Sequence, residues 1–336
     1  MKYTLSFLFA ALALFTNLAA AAAAEKQLIV DTAFVAEAQK HGALLWDVRS
    51  ADDFRKGHIP GALNIGSVGT VLRFEHNEDY LPTPQIEKIL GDAGIDPARE
   101  IIVYGDKADP YVYFGLFTVQ YFGGNNAHIY HGGIDDWKAA KKEISTEPAK
   151  HLPVALKLQP HPELAVVTEE VVSKLNSNVQ IVDARSPKEF SGVDIRAIRG
   201  GHIPGAVNIP FQKNWADPDT PAKLAKKEVA SKDGMGLKSL DQLKTLYAKL
   251  DPEKETIVYC QSGVRAAESA TVLKDLGFKN VKVYDSSWLG YANALSTPVD
   301  DVSFFNVGQM NNKLDTMQRR LDAMERVLSE IVHAMK

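Results

Sequence analysis

The chain repeats itself once, and that repeat restricts the folds open to it. The first copy reads Leu44-Leu45-Trp46-Asp47-Val48-Arg49-Ser50, then Phe54, then Gly57-His58-Ile59-Pro60-Gly61-Ala62-Leu63-Asn64-Ile65. The second reads Val179-Gln180-Ile181-Val182-Asp183-Ala184-Arg185-Ser186, then Phe190, then Gly201-His202-Ile203-Pro204-Gly205-Ala206-Val207-Asn208-Ile209. Each copy next has a helical stretch, Gln85 to Ala93 and Leu240 to Leu250, and a short apolar strand, Ile101 to Tyr104 and Thr256 to Tyr259. Another helix and strand follow: Tyr113 to Phe122 with Ala127 to Tyr130, and Ala266 to Leu276 with Val281 to Tyr284. Strands that alternate with helices imply a mainly parallel sheet covered on both faces. Two copies make an α/β chain of two tandem domains.

The single cysteine among 336 residues, Cys260, stands between Ile257-Val258-Tyr259 and a helix-forming run that begins after Gly263. Strand, tight loop and helix are the expected order. Such a loop turns backbone N–H groups inward, and the new helix adds its positive end. A thiolate is an anion and is favoured there, so Cys260 is the expected catalytic nucleophile. One cysteine makes no intramolecular disulfide. A cysteine that merely fills core space would not need Gln, Ser, Gly and Arg beside it. Cys260 to Arg265 is C-x4-R; a cysteine phosphatase needs C-x5-R, and Ala266 stands at that position.

Cys260-Gln261-Ser262-Gly263-Val264-Arg265, followed by Ala266-Ala267-Glu268-Ser269, resembles the active-site loop of the rhodanese sulfurtransferases. The paired D-x-R and G-H-I-P-G-A motifs extend the resemblance over nearly all of Gln27 to Leu295. It implies an enzyme that takes the outer sulfur of a small anionic donor onto Cys260 as a persulfide and passes it to cyanide or a thiol. Mercaptopyruvate enzymes of the family typically have C-G-S-G-V-T, and two-domain thiosulfate enzymes C-R-K-G-V-T. Ser262 matches the first, and Arg265 matches many bacterial thiosulfate-using members. Where the two-domain enzymes place a substrate-binding Arg, this chain has Glu189. Thiosulfate or a related sulfane sulfur is therefore the expected donor. A non-catalytic persulfide carrier or sensor is the rival from another class. No metal cluster or nucleotide-binding loop is seen in the sequence, so no cofactor is expected.

The expected donor-binding groups are Gln261, Ser262, Gly263, Val264 and Arg265, through their N–H groups. Arg265 either adds charge for the donor or braces the loop against an acid. Arg196 and Arg199 lie in an insertion of the second copy and are further candidates. That insertion lengthens the Asp183 to His202 spacing to 19 residues, against 11 from Asp47 to His58. A second insertion spans Asn214 to Gly236. Asp183, Arg185 and His202 are expected to be structural, because Asp47, Arg49 and His58 recur in the half without a cysteine. The arginines are expected to pair with Asp53 and Glu189.

The copies differ at the decisive point. Gly105 stands opposite Cys260, and Asp106-Lys107-Ala108-Asp109-Pro110 replaces the loop. Carboxylates oppose an anion, and Pro110 lacks an N–H. The first domain is expected to be inactive, an arrangement that the resemblance also implies.

The ends carry separate expectations. Lys2, an apolar core from Leu5 to Phe15 and the small residues Ala19 to Ala24 read as a signal peptide, 1–24, cleaved on export to the bacterial periplasm. The domains are expected at 25–147 and 163–301, joined by a proline-bearing linker, 148–162. A net charge of −4 predicts no attraction to nucleic acid. From 305 to 336, Met310, Leu314, Met317, Leu321, Met324, Leu328 and Ile331 are spaced alternately by four and three. That seam predicts a coiled-coil-like helix and a homo-oligomer through 310–331, the competing reading being a helix packed on its own domain.

Overall fold

The computed structural model describes residues 27–149 and 151–334. The expected signal peptide lies outside the described residues. The first half runs β1 (Ile29–Val30), α1 (Thr32–Lys40), β2 (Leu44–Asp47), α2 (Ala51–Lys56), β3 (Leu63–Asn64), α3 (Val68–Val71), α4 (Thr83–Asp92), β4 (Ile101–Tyr104), α5 (Pro110–Tyr121), β5 (Ala127–Tyr130) and α6 (Gly133–Ala139). The second runs β6 (Ala165–Val166), α7 (Thr168–Ser173), β7 (Gln180–Asp183), α8 (Pro187–Phe190), β8 (Arg199–His202), β9 (Val207–Asn208), α9 (Thr220–Ala225), α10 (Leu240–Leu246), β10 (Glu255–Tyr259), α11 (Val264–Asp275), β11 (Asn280–Tyr284), α12 (Ser287–Asn293), β12 (Asp300–Phe304) and α13 (Val307–Ala334).

The two halves are one topology used twice. Their five-stranded sheets have the orders β1-β5-β4-β2-β3 and β6-β11-β10-β7-β9, and both are parallel throughout. Even the register repeats, with Asp47 beside Tyr104 and Asp183 beside Tyr259. The central strands β4 and β10 are covered on both faces, which is why Ile101–Tyr104 and Ile257–Tyr259 read as unbroken apolar runs rather than alternating ones.

Helix α5 is apolar almost all the way round, and every residue from Val112 to Val119 is buried. Such a helix needs cover on every side. Its own sheet supplies part, and α11 of the second half, buried from Ala266 to Leu273, packs against it. One apolar cluster therefore runs from Phe114 and Phe117 into Ala266 and Ala270. The helix that follows the Cys260 loop is thus set in place by the other half.

Both insertions of the second half have work in the fold. The first contains β8, which pairs antiparallel with β12 and carries the ordered chain to Phe304, past the expected boundary at 301. The second reaches the first half, where Met235 O accepts from His131 Nε2 at 2.9 Å and Lys232 pairs with Asp135 at 3.0 Å. Burial pushes His131 down to about 4, so the ring is neutral, and its Nδ1 accepts from the Tyr113 hydroxyl at 2.9 Å.

Helix α13 is exposed along its whole described length, and its seam residues are 42–68% exposed. The reading in which it folds back onto its own domain is thereby overturned. No described helix is long and apolar enough to cross a membrane.

Candidate active site

Strand β10 delivers Cys260 to the end of the sheet, and α11 begins four residues later. Gly263 forms the bend at φ +83°, where a side chain would be strained and would strike Asp285. The loop's carbonyls turn away from the cysteine. Cys260 O accepts from Trp288 N at 3.0 Å, and Gln261 O from Leu289 N at 2.9 Å. Ser287 Oγ accepts from both Cys260 N and Gly263 N at 3.0 Å and donates to Tyr284 O at 2.6 Å. The expectation that Gly263 offers its N–H to the donor is therefore corrected: that group is already bonded, and Gly263 shapes the loop instead. Among the described residues no hydrogen bond engages the N–H of Gln261, Ser262, Val264 or Arg265. These four amides and the N-terminus of α11 make a cradle suited to an anion.

Cys260 is 1% exposed, and Gln261 and Ser262 are also buried. Gln261 Nε2 donates to Arg196 O at 2.7 Å, which ties the first insertion to the loop. Arg265 braces the loop by a two-pronged contact with Glu189, both distances 2.8 Å. Glu189 also caps α8, accepting from Ser186 N at 3.0 Å. Burial pushes Glu189 up, but the Arg265 guanidinium outweighs it and holds the carboxyl at about 2. Arg196 adds a second guanidinium at 3.2 Å from the same carboxylate, with its side chain half exposed. Two cations on one carboxylate leave a net positive charge beside the loop.

Arg199 is not at the site. Its guanidinium is buried against the last turn of α12, donating to Ala294 O at 2.8 Å, Thr297 Oγ1 at 2.6 Å and Ala292 O at 3.1 Å. Helix ends leave carbonyls without intrahelical partners, and a buried guanidinium satisfies several at once. It is a cap, and the expectation that it meets the donor is withdrawn. Arg185 pairs with Asp183 at 2.6 Å, as Arg49 does with Asp47 at 2.6 Å, and not with Glu189 or Asp53. Each arginine also donates to the carbonyl of a glycine, Gly201 or Gly57. His202 stacks on Phe190 and bonds Phe190 O at 2.9 Å, while His58 does the same with Phe54. The matched geometry in both halves makes these groups part of the scaffold.

Ser287 is the site residue that the motif spacing missed. The repeat itself holds the signal. Tyr130-His131-Gly132-Gly133-Ile134 aligns with Tyr284-Asp285-Ser286-Ser287-Trp288, and Ile134 N bonds Gly105 O at 2.9 Å as Trp288 N bonds Cys260 O. Gly133 has φ +53° and Ser287 φ +49°. The backbone there favours glycine, costing a serine about 1 kcal/mol. The second half accepts that cost at the position where a hydroxyl holds two loop amides.

Comparison with known proteins agrees with this geometry. The rhodanese-like domain family matches twice, over residues 31–140 and 167–294. A thiosulfate sulfurtransferase of Corynebacterium glutamicum is 32% identical over 272 residues, covering 77% of this chain and 82% of the relative. Among solved structures, the anaerobic ergothioneine biosynthesis enzyme from Chlorobium limicola, in complex with trimethyl histidine, superimposes with a TM-score of 0.69 at 21% identity, covering 81% of this chain and 70% of that one. Wild-type EanB gives a TM-score of 0.65 at 21% identity, over 77% and 63% of the two chains. Those two likenesses concern the fold. The duplicated sheet, the cysteine loop at the head of α11 and the doubled family match place this chain in the rhodanese-like family, as a tandem-domain enzyme of the thiosulfate sulfurtransferase type.

Proposed function

We propose that Cys260 carries a sulfane sulfur from thiosulfate, or a similar small anionic donor, to cyanide or a thiol. The thiolate attacks the outer sulfur of thiosulfate. A Cys260 Sγ–S bond forms, the S–S bond of the donor breaks, and its electron pair leaves with sulfite. Cyanide then attacks the outer sulfur of the persulfide, thiocyanate departs and the thiolate returns. This is covalent catalysis in two half-reactions. The amides of Gln261, Ser262, Val264 and Arg265 stabilise the negative sulfur, in the manner of an oxyanion hole. The exposed Arg196 draws the donor in. The observation that carries the reading is that the N–H groups of Gln261, Ser262, Val264 and Arg265, in the loop that follows the chain's single cysteine, have no hydrogen-bond partner among the described residues. Steady-state assay with thiosulfate and cyanide tests it: many thiocyanates per protein are expected, whereas a carrier would load once and stop.

The first half is read as a catalytically silent support. Gly105 replaces the nucleophile, and Asp109 caps α5 by accepting from Tyr111 N at 2.9 Å. Export to the periplasm rests on the sequence of 1–24 alone. The tail is read as a parallel self-association helix. With Leu314, Leu321 and Leu328 at heptad position a, Arg320 at g faces Glu325 at the following e of a second copy. Val327 and Val332 occupy the next such pair and widen the apolar band.

A further inference from the structure

Arg73 belongs to the half without a nucleophile, yet it reaches the cysteine loop. It sits in the turn between α3 and α4, where Arg73 and Tyr80 form an antiparallel bridge and Leu81 N bonds Leu72 O at 2.9 Å. Its side chain is 1% exposed. Nη1 donates to Ser262 O at 2.8 Å, and Nη2 lies 3.3 Å from Asp285 Oδ1. The guanidinium carbon is 4.7 Å from the centre of the Phe114 ring, and Glu78 lies 3.7 Å from Nη1. Packing and hydrogen bonds thus fix the cation against the back of the loop.

The contact falls on one particular peptide. In a trans peptide the C=O and the following N–H point in opposite directions. Ser262 O is held by Arg73, and Gly263 N on the other side is held by Ser287 Oγ. The Ser262–Gly263 peptide is therefore clamped at both ends, once by each half of the molecule. Gly263 needs such a clamp, because a residue without a Cβ rotates more freely than any other. A flipped peptide would set its N–H against the guanidinium and its carbonyl against Ser287 Oγ, breaking the anchor that Ser287 also gives to Cys260 N.

We infer that Arg73 is a positioning residue for sulfur transfer, fixing the Ser262–Gly263 peptide and with it the loop whose unengaged amides meet the anion formed on Cys260. The first half thereby contributes to the reaction without touching the donor. This rests on the sulfur-transfer reading of Cys260. Arg73 acts only through the loop, so its loss lowers kcat rather than the affinity for thiosulfate.

The test uses the full chain with Arg73→Met, Arg73→Lys, Ser287→Ala and the double variant Arg73→Lys with Ser287→Ala. Turnover with thiosulfate and cyanide gives kcat and KM, and iodoacetamide reads the reactivity of the single cysteine whether or not sulfur is transferred. Arg73→Met is expected to lower kcat at least tenfold with KM within threefold. Arg73→Lys keeps the charge but not the fork and recovers part of the activity, at about a threefold loss. Arg73→Lys and Ser287→Ala each change the alkylation rate in the same direction, and the double variant changes it no further than the larger single effect, because both act on one peptide. A kcat within twofold of the parent in folded Arg73→Met, or additive effects in the double variant, overturns the inference. Should Arg73→Met not fold, the additivity of the lysine variant decides alone. If the parent transfers no sulfur but alkylation follows the expected pattern, the donor reading falls and the positioning role stands.

Discussion

Arg265 and Glu189 meet side by side, both guanidinium-to-carboxylate contacts at 2.8 Å, and the carboxylate belongs to the cap of a different helix. The pair locks the first turn of α11 to α8. A folded-state carboxyl at about 2, against an ordinary 4.5, adds stability that is fully present above about pH 4.5 and is lost as pH falls towards 2. Glu189→Gln should cost about 3 kcal/mol at pH 7, since it leaves the largely buried Arg265 guanidinium without its carboxylate. Urea unfolding from pH 7 to pH 3 checks both points. The parent should lose more stability than the variant below pH 4.5, and parallel curves would show that the pair does not brace the fold.

The half-exposed Arg196 sits on the same carboxylate and faces solvent beside the loop. Arg196→Ala should raise the KM for thiosulfate severalfold at low salt and leave kcat within about twofold. Added salt should narrow the difference, because exposed charges are screened. A variant with parental KM at low salt would place the donor's approach elsewhere.

Glu268 is fully buried on α11, accepting from Trp215 Nε1 at 3.0 Å, while its Oε2 has no hydrogen-bond partner among the described residues. Burial pushes the carboxyl up to about 8. The folded protein therefore keeps a proton that the unfolded chain releases near 4.5, and stability falls as pH rises from about 4.5 through 8. Glu268→Gln removes that dependence and should be more stable than the parent at pH 8. Thermal unfolding at pH 5 and pH 8 decides it, an unchanged difference between the two proteins being the contrary result.

Removing α13 after Asn306 keeps β12 paired with β8 and deletes the seam. Light scattering should find the full chain associated and the truncated chain monomeric, with turnover unchanged. If both are monomers at micromolar concentration, the seam faces something other than a second copy.

Local pattern carried most of the architecture. The parallel sheet of each half could be anticipated because strands alternate with helices in both copies, and the loop because Cys260, Gly263 and Arg265 sit together in the chain. Long-range partners were not legible. Arg199 lies three residues from Arg196, yet one is buried under α12 and the other is exposed, a difference set by the pairing of β8 with β12. Arg73 lies 189 positions from Ser262, and no local pattern marks it as a neighbour of the loop. Ser287 was recoverable only by aligning Gly133 with it. The acids that meet the D-x-R arginines are not legible locally, because an aspartate two residues back is reached only where the chain turns sharply off the strand.

Mass measurement of the Cys260 peptide tests the central claim most directly. Thiosulfate without an acceptor should add one sulfur atom to that peptide and release one sulfite. Cyanide should then restore the original mass and yield thiocyanate, and Cys260→Ser should do neither. An adduct that retains the sulfonate group, or turnover by Cys260→Ser within tenfold of the parent, would contradict transfer through a Cys260 persulfide.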